Sequence, residues 1–190
     1  MIGCREHIQP INLVSHEEYA IYTSIINQLS SSYSRQIAFV RDSTLFNRPP
    51  REKSNSGSNK ILVYKDSGPG KYIDKFSNSV RQNWQVIDLD YYQRILEINN
   101  GTSYCLILDS MHTFIPIQRL NKDSVSLKMF DNVEPLLFWF SRVAFNPQND
   151  EAIVYIEYVC GSVCGAGEWY WLKKSQGLWK IFKSDHTWIS

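Results

Sequence analysis

Ala152-Ile153-Val154-Tyr155-Ile156-Glu157-Tyr158-Val159-Cys160 is the stretch whose reading decides the fold. In extended chain, successive side chains point to opposite faces. Ala152, Val154, Ile156, Tyr158 and Cys160 then share one face, and Ile153, Tyr155, Glu157 and Val159 the other. Both sets are mostly apolar, so the run is predicted as a strand. Upstream, Val143 to Phe145 reads as a shorter strand, turned by Asn146-Pro147-Gln148-Asn149-Asp150. Downstream, a glycine-rich connection from Gly161 to Gly167 reverses the chain and Trp169 to Leu172 runs back. Lys173-Lys174-Ser175-Gln176-Gly177 turns it again, and Leu178 to Lys183 closes the set. Connections this short imply antiparallel neighbours, so the last four strands are expected to form a meander.

Nearer the N-terminus, Ser15-His16-Glu17-Glu18 reads as a capping box, the reciprocal pairing of a serine side chain and a glutamate three residues on. Tyr19, Tyr22, Ile25, Ile26 and Leu29 follow at helical spacing, and the helix is expected to end near Ser30-Ser31-Ser32. Ile37 to Val40 and Ile61 to Tyr64 read as strands. A turn at Ser67-Gly68-Pro69-Gly70 leads toward a helix from Tyr72 to Trp84. Tyr92, Ile95, Leu96 and Ile98 fit a short helix or a bent strand, and Tyr104 to Leu108 fits a buried strand. Pro116 and Pro135 interrupt residues 111 to 140, where no pattern dominates. The expected fold class is α+β: an N-terminal helix and mixed segments packed on an antiparallel sheet with a C-terminal four-strand meander. Residues 1–190 are read as one domain, with a tail at 1–14 and a mobile loop at 47–60, which is polar, charged and interrupted by prolines.

Composition narrows the function classes. The chain has 190 residues and a formal net charge of +1 from 20 basic and 19 acidic residues. That balance lacks the basic footprint of a nucleic-acid partner. No stretch approaches the roughly 18 apolar residues of a transmembrane helix. Met1-Ile2-Gly3-Cys4 has two readings: the end of a lipoprotein processing site with Cys4 lipidated and the hydrophobic segment trimmed away, or an ordinary start with a free cysteine.

The sharpest local feature is Cys160-Gly161-Ser162-Val163-Cys164-Gly165-Ala166-Gly167. Two cysteines four apart at a hairpin tip permit a disulfide, two inert thiols, or a redox or metal site. A disulfide needs Cα atoms about 4.4–6.8 Å apart, which a reversing chain provides. A redox pair ordinarily sits at a helix N-terminus with one residue fewer between the cysteines. Zinc needs four ligands in paired clusters, and Cys105 with His7, His16, His112 and His186 forms no such pairs. No metal and no cofactor is expected.

The remaining motifs are weaker. Gly68-Pro69-Gly70-Lys71 departs from the phosphate-binding loop pattern at both ends. Asp88-Leu89-Asp90 places two carboxylates on one face if extended, without a third ligand. Asp185-His186 resembles an acid–base pair by adjacency alone, since strand neighbours point apart. Trp169 and Trp171 share one face of their strand and either fill the core or form an exposed platform that stacks on sugars or peptides.

Ser141-Arg142-x-x-Phe145-Asn146, Cys160-Gly161-x-x-Cys164-Gly165-x-Gly167 and the terminal Trp188-Ile189-Ser190 together resemble a group of uncharacterised bacterial proteins, many of which look exported or lipid-anchored. The similarity covers roughly residues 140 to 190, and more loosely Glu18 to Leu29 and Arg41-Asp42-Ser43-Thr44. No activity attaches to the group, so no catalytic residue is carried over. The resemblance implies an envelope or periplasmic location, against a cytoplasmic alternative, and favours the disulfide.

The functional expectation is therefore a non-catalytic exported binding or interaction domain, a lipoprotein if Cys4 is lipidated. The alternative is a thiol-dependent enzyme or redox protein using Cys160 and Cys164.

Overall fold

A computed structural model describes residues 14–34, 37–41, 44, 84, 89–99, 104–120, 136–161 and 164–190. Most of the expected tail, the expected loop at 47–60, the strand at Ile61 to Tyr64, the turn at 67–70 and nearly all of the helix from Tyr72 lie outside these residues.

Helix α1 spans His16–Ser32, and its start is the capping box read from the sequence. Ser15 Oγ accepts from the Glu18 N–H at 3.2 Å, and Glu18 Oε2 accepts from the Ser15 N–H at 2.8 Å. Two of the four backbone donors that a helix leaves unpaired at its start are thereby satisfied. The face bearing Tyr19, Tyr22, Ile25, Ile26 and Leu29 is buried.

The strands are β1 (Ala38–Arg41), β2 (Ile117–Leu120), β3 (Leu136–Phe140), β4 (Ala144–Phe145), β5 (Glu151–Gly161), β6 (Cys164–Ser175) and β7 (Leu178–Ile189). They form one seven-stranded sheet in the order β2-β1-β3-β5-β6-β7, with β4 also paired to β5. The sheet is mixed, which corrects the antiparallel expectation. β1 runs parallel to both β2 and β3, whereas every pairing from β3 onward is antiparallel. Helix α2 (Leu89–Ile98) resolves the ambiguous segment around Tyr92 as helical, so the extended geometry considered for Asp88-Leu89-Asp90 does not hold from Leu89 on. Tyr104 to Leu108 makes only an isolated bridge at Cys105 before a single 3-10 turn, Leu108–Ser110, in place of the expected strand.

The alternation in β5 sorts the core into two layers. Ala152, Val154, Ile156, Tyr158 and Cys160 pack with α1, Val40, Phe138 and Phe140. Ile153 and Tyr155 pack on the opposite face with Trp84, Ile95, Ala144, Trp169 and Trp171. A strand apolar on both faces is what a sheet covered on both sides requires. α1 is also tied to the β6–β7 hairpin. Glu17 accepts from Lys174 Nζ at 2.8 Å and from Trp179 Nε1 at 2.7 Å, and Ser24 Oγ donates to the Trp179 carbonyl at 2.9 Å.

Among the described strands, β7 closes one end of the sheet. Its ladder with β6 shifts register twice, leaving Phe182 and Thr187 as extra residues on β7. Bulges and lysines blunt a sheet edge against unwanted pairing, and Lys180 and Lys183 lie on this strand.

Candidate functional site

A dense polar network gathers at the link between β3 and β4, which holds Ser141, Arg142 and Val143. Ser141 bonds in four directions. Its N–H donates to the Tyr155 carbonyl, its Oγ accepts from the Tyr155 N–H at 2.9 Å and donates to the Arg142 carbonyl at 2.9 Å, and its carbonyl accepts from Tyr22 Oη at 2.9 Å. Arg142 donates through Nε and Nη2 to the two oxygens of Glu18 at 2.6 and 3.0 Å. Its guanidinium lies 4.3 Å from the centre of the Tyr104 ring. From the other side of the sheet, Asn99 Oδ1 accepts from the Arg142 N–H at 2.8 Å. Burial opposes the charge of Arg142, and the bonds and charge of Glu18 outweigh it, so the guanidinium is held above its ordinary pKa. Every one of these groups is engaged by protein partners, so the link clamps α1 and α2 to the sheet.

The hairpin tip holds the sequence-predicted cysteines. Cys160 and Cys164 form a disulfide across Cα atoms 5.1 Å apart. Cys160 is 1% exposed. Cys105 is disulfide-bonded as well. Cys4, the lipidation candidate, lies outside the described residues.

Trp169 and Trp171 are 0% and 5% exposed. Trp169 packs on Tyr155 and Trp171 on Trp84 and Phe182. Both indoles are core side chains, and neither offers the exposed stacking platform considered from the sequence.

Two polar clusters that the sequence reading missed lie on opposite faces near the end of β7. On the α2 face, Tyr155 Oη donates to Glu157 Oε1 at 3.1 Å, accepts from Trp188 Nε1 at 3.2 Å and meets Thr187 Oγ1 at 3.2 Å. Burial pushes the Glu157 carboxyl up to about 7, while bonds from Tyr155 and Trp188 and the charge of Arg41 act in the opposite direction. Burial also raises the Tyr155 phenol. On the α1 face, Glu168 is 4% exposed and accepts from Tyr170 Oη at 2.5 Å. His186 Nδ1 lies 3.6 Å from Glu168 Oε1. Tyr33 and Tyr158 pair through their hydroxyls at 3.1 Å, and burial followed by the Glu168 charge raises the Tyr170 phenol. His186 thus faces Glu168 across the β6–β7 ladder, while Asp185 stands opposite Trp169. The available signal was an acid whose strand neighbours on both sides are apolar or glycine, which describes both Glu157 and Glu168.

A shallow hollow of about 420 Å³ lies beside the 3-10 turn, lined by Leu108, Asp109, Met111, His112, Ile115 and Ile117 among others. Among the described residues, no three His, Cys, Asp or Glu side chains gather to hold a metal ion, and no helix is long and apolar enough to cross a membrane. Compared with known protein families, curated proteins and solved structures, the chain matches none.

Proposed function

We propose that this chain is a non-catalytic binding or interaction domain that works outside the cytoplasm, in the bacterial envelope or periplasm. One observation carries the reading: each cysteine among the described residues, Cys105, Cys160 and Cys164, is disulfide-bonded. Disulfides persist in oxidising compartments and are rare where glutathione and thioredoxin keep thiols reduced. The resemblance of residues 140 to 190 to exported proteins supports the same location. In the lipoprotein form of this reading, a thioether on Cys4 holds the domain at the membrane.

The bonding of the polar residues favours binding over catalysis. Arg142, Glu18 and Ser141 are all committed to holding helices on the sheet. The alternative, a thiol-dependent enzyme at Cys160 and Cys164, requires a sulfur that a second thiol can approach. Cys160 is buried against the core, which opposes attack on its sulfur and leaves the half-buried Cys164 as the more open of the two.

The test is the intact mass of protein isolated from its native host and alkylated with and without reductant. The proposal expects Cys160 and Cys164 to resist alkylation until reduced. Free alkylation of both in the untreated protein would overturn the exported reading.

A further inference from the structure

We infer that the turn end of the β6–β7 hairpin is a docking surface for an anionic lipid membrane. The inference rests on the binding-domain reading proposed above and deepens it by naming the partner. The chain as a whole is nearly neutral, with 20 basic and 19 acidic residues. Between Glu168 and Asp185 it holds four lysines and no acid. The hairpin therefore concentrates positive charge in one place.

The ladder decides where those charges stand. Ser175 pairs with Leu178, Lys173 with Lys180 and Trp171 with Lys183. Residues directly opposite in a ladder share a face. Leu178, Lys180 and Lys183 thus lie on the Trp171 side, which is the α2 face of the sheet. The register shift beside Trp171 adds Phe182 to the same side. Its ring meets Trp171 edge-on with centroids 5.1 Å apart, and Lys173 Nζ lies 4.4 Å from the centre of the Phe182 ring. In a regular strand Phe182 and Lys183 would point to opposite faces, and the bulge brings them together. Asp185, the next acid on this face, marks the far end of the patch.

The patch is both charged and apolar. Leu178 is 65% exposed and Phe182 51%. Lys173 is paired with Glu151 at 2.9 Å, and Lys174, on the opposite face, with Glu17 at 2.8 Å. Lys180 and Lys183 are exposed and meet no acid among the described residues. Bulky apolar side chains set among unneutralised cations fit the boundary where hydrocarbon meets phosphate. There Leu178 and Phe182 enter the edge of the acyl layer, while the lysine stems lie along it and keep their ammonium groups at the level of the phosphates. A soluble polyanion would meet the same lysines but leave Leu178 and Phe182 in water. A second copy of this chain, docked about a two-fold axis, would set lysines against lysines. The other face of the hairpin is fixed to α1 through Glu17, Lys174, Trp179 and Ser24, so the patch is presented without rearrangement.

The experiment is co-sedimentation of the full chain, shown by intact mass to carry no lipid, with two kinds of vesicle at low salt. One is phosphatidylcholine alone, the other phosphatidylcholine mixed with phosphatidylglycerol. The expected partition onto the mixed vesicles is far above that onto the neutral ones. It falls roughly fivefold for each of Lys180→Gln and Lys183→Gln, the effect of one lysine near an anionic surface, and severalfold for Leu178→Ser. All three side chains are exposed, and near-ultraviolet circular dichroism checks that the variants are folded. Equal partition onto both vesicles, or none onto either, overturns the inference. Lysine-dependent binding that Leu178→Ser leaves unchanged also overturns it, because that is the behaviour of a polyanion site. Alkylation of the same sample reads the exported location separately. A closed Cys160–Cys164 bridge without vesicle binding removes the lipid partner and leaves that location standing.

Discussion

Glu18 and Arg142, 124 residues apart, form a buried two-point ion pair that also closes the start of α1. Glu18 is 1% exposed. Its carboxylate accepts from two of the three guanidinium nitrogens, from the Ser15 N–H and from the Val143 N–H. Removing one partner from a fully buried pair costs about 3–5 kcal/mol; the Arg142 side chain is 15% exposed, which places the loss at the low end, about 3 kcal/mol. Glu18→Gln is expected to lower unfolding free energy by that amount in denaturant titration. Glu18→Gln with Arg142→Met should cost less than the sum of the two single changes, because the orphan charge is gone. Additive losses would mean that the two residues are not coupled.

Gly167 carries a second relationship. A Cβ placed there would lie 2.0 Å from Trp188 Nε1 and 2.2 Å from Tyr155 Oη, so the Trp188 indole and the Tyr155 hydroxyl occupy the space that any side chain would need. Gly167→Ala must displace that ring, and overpacking of this kind costs about 1–3 kcal/mol. The expected result is a red-shifted tryptophan emission and a lower denaturation midpoint. In a Trp188→Ala background the same glycine change should cost less, though not nothing, because the Tyr155 hydroxyl still has to move.

This glycine explains where the sequence misled. The capping box, the helix through Leu29 and the two-faced alternation of β5 were readable because each is fixed by neighbours within a few residues. Gly161 to Gly167 read as a connection, yet β6 begins at Cys164. Gly165 and Gly167 are strand residues paired to Val159 and Glu157, and Ser190 and Trp188 crowd the space a Cβ would take; a glycine inside a strand marks a close approach that only the distant partner reveals. The parallel pairing of β1 was hidden for a related reason. Its partners begin at Ile117 and Leu136, one residue after each of the two prolines that seemed to interrupt the segment. Pro116 in fact serves the sheet, since its carbonyl accepts from the Ala38 N–H at 3.1 Å. Glu168 and His186 were separately visible, but their pairing depends on a register that two bulges set.

The Cys160–Cys164 bridge spans a very short loop, so its effect on the unfolded chain is small by the chain-entropy account, about 2 kcal/mol. A Cys160→Ala, Cys164→Ala variant is expected to keep the native circular dichroism while losing about that much stability. A loss twice as large would show that the bridge also holds the native hairpin against strain in its tip.

Glu157 gives the chain a specific pH dependence. Its folded pKa is about 7 against an ordinary 4.5, with burial as the main cause. A carboxyl whose pKa rises on folding holds its proton more tightly in the native state than in the unfolded one. Its contribution is therefore neutral below about pH 4.5, becomes destabilising as pH rises toward about 7, and is constant above that. The full effect is at most about 3 kcal/mol, from the energy of one pKa unit. Glu17 slopes the other way at the acid end, because bonds from Lys174 and Trp179 lower its pKa. The comparison that isolates Glu157 is thus wild type against Glu157→Gln across the same pH series. The two unfolding free energies should diverge through that window, the wild type losing ground to the variant as Glu157 ionises. Parallel curves would mean that Glu157 ionises in the fold as easily as in water, and that Tyr155, Trp188 and Arg41 together compensate its burial.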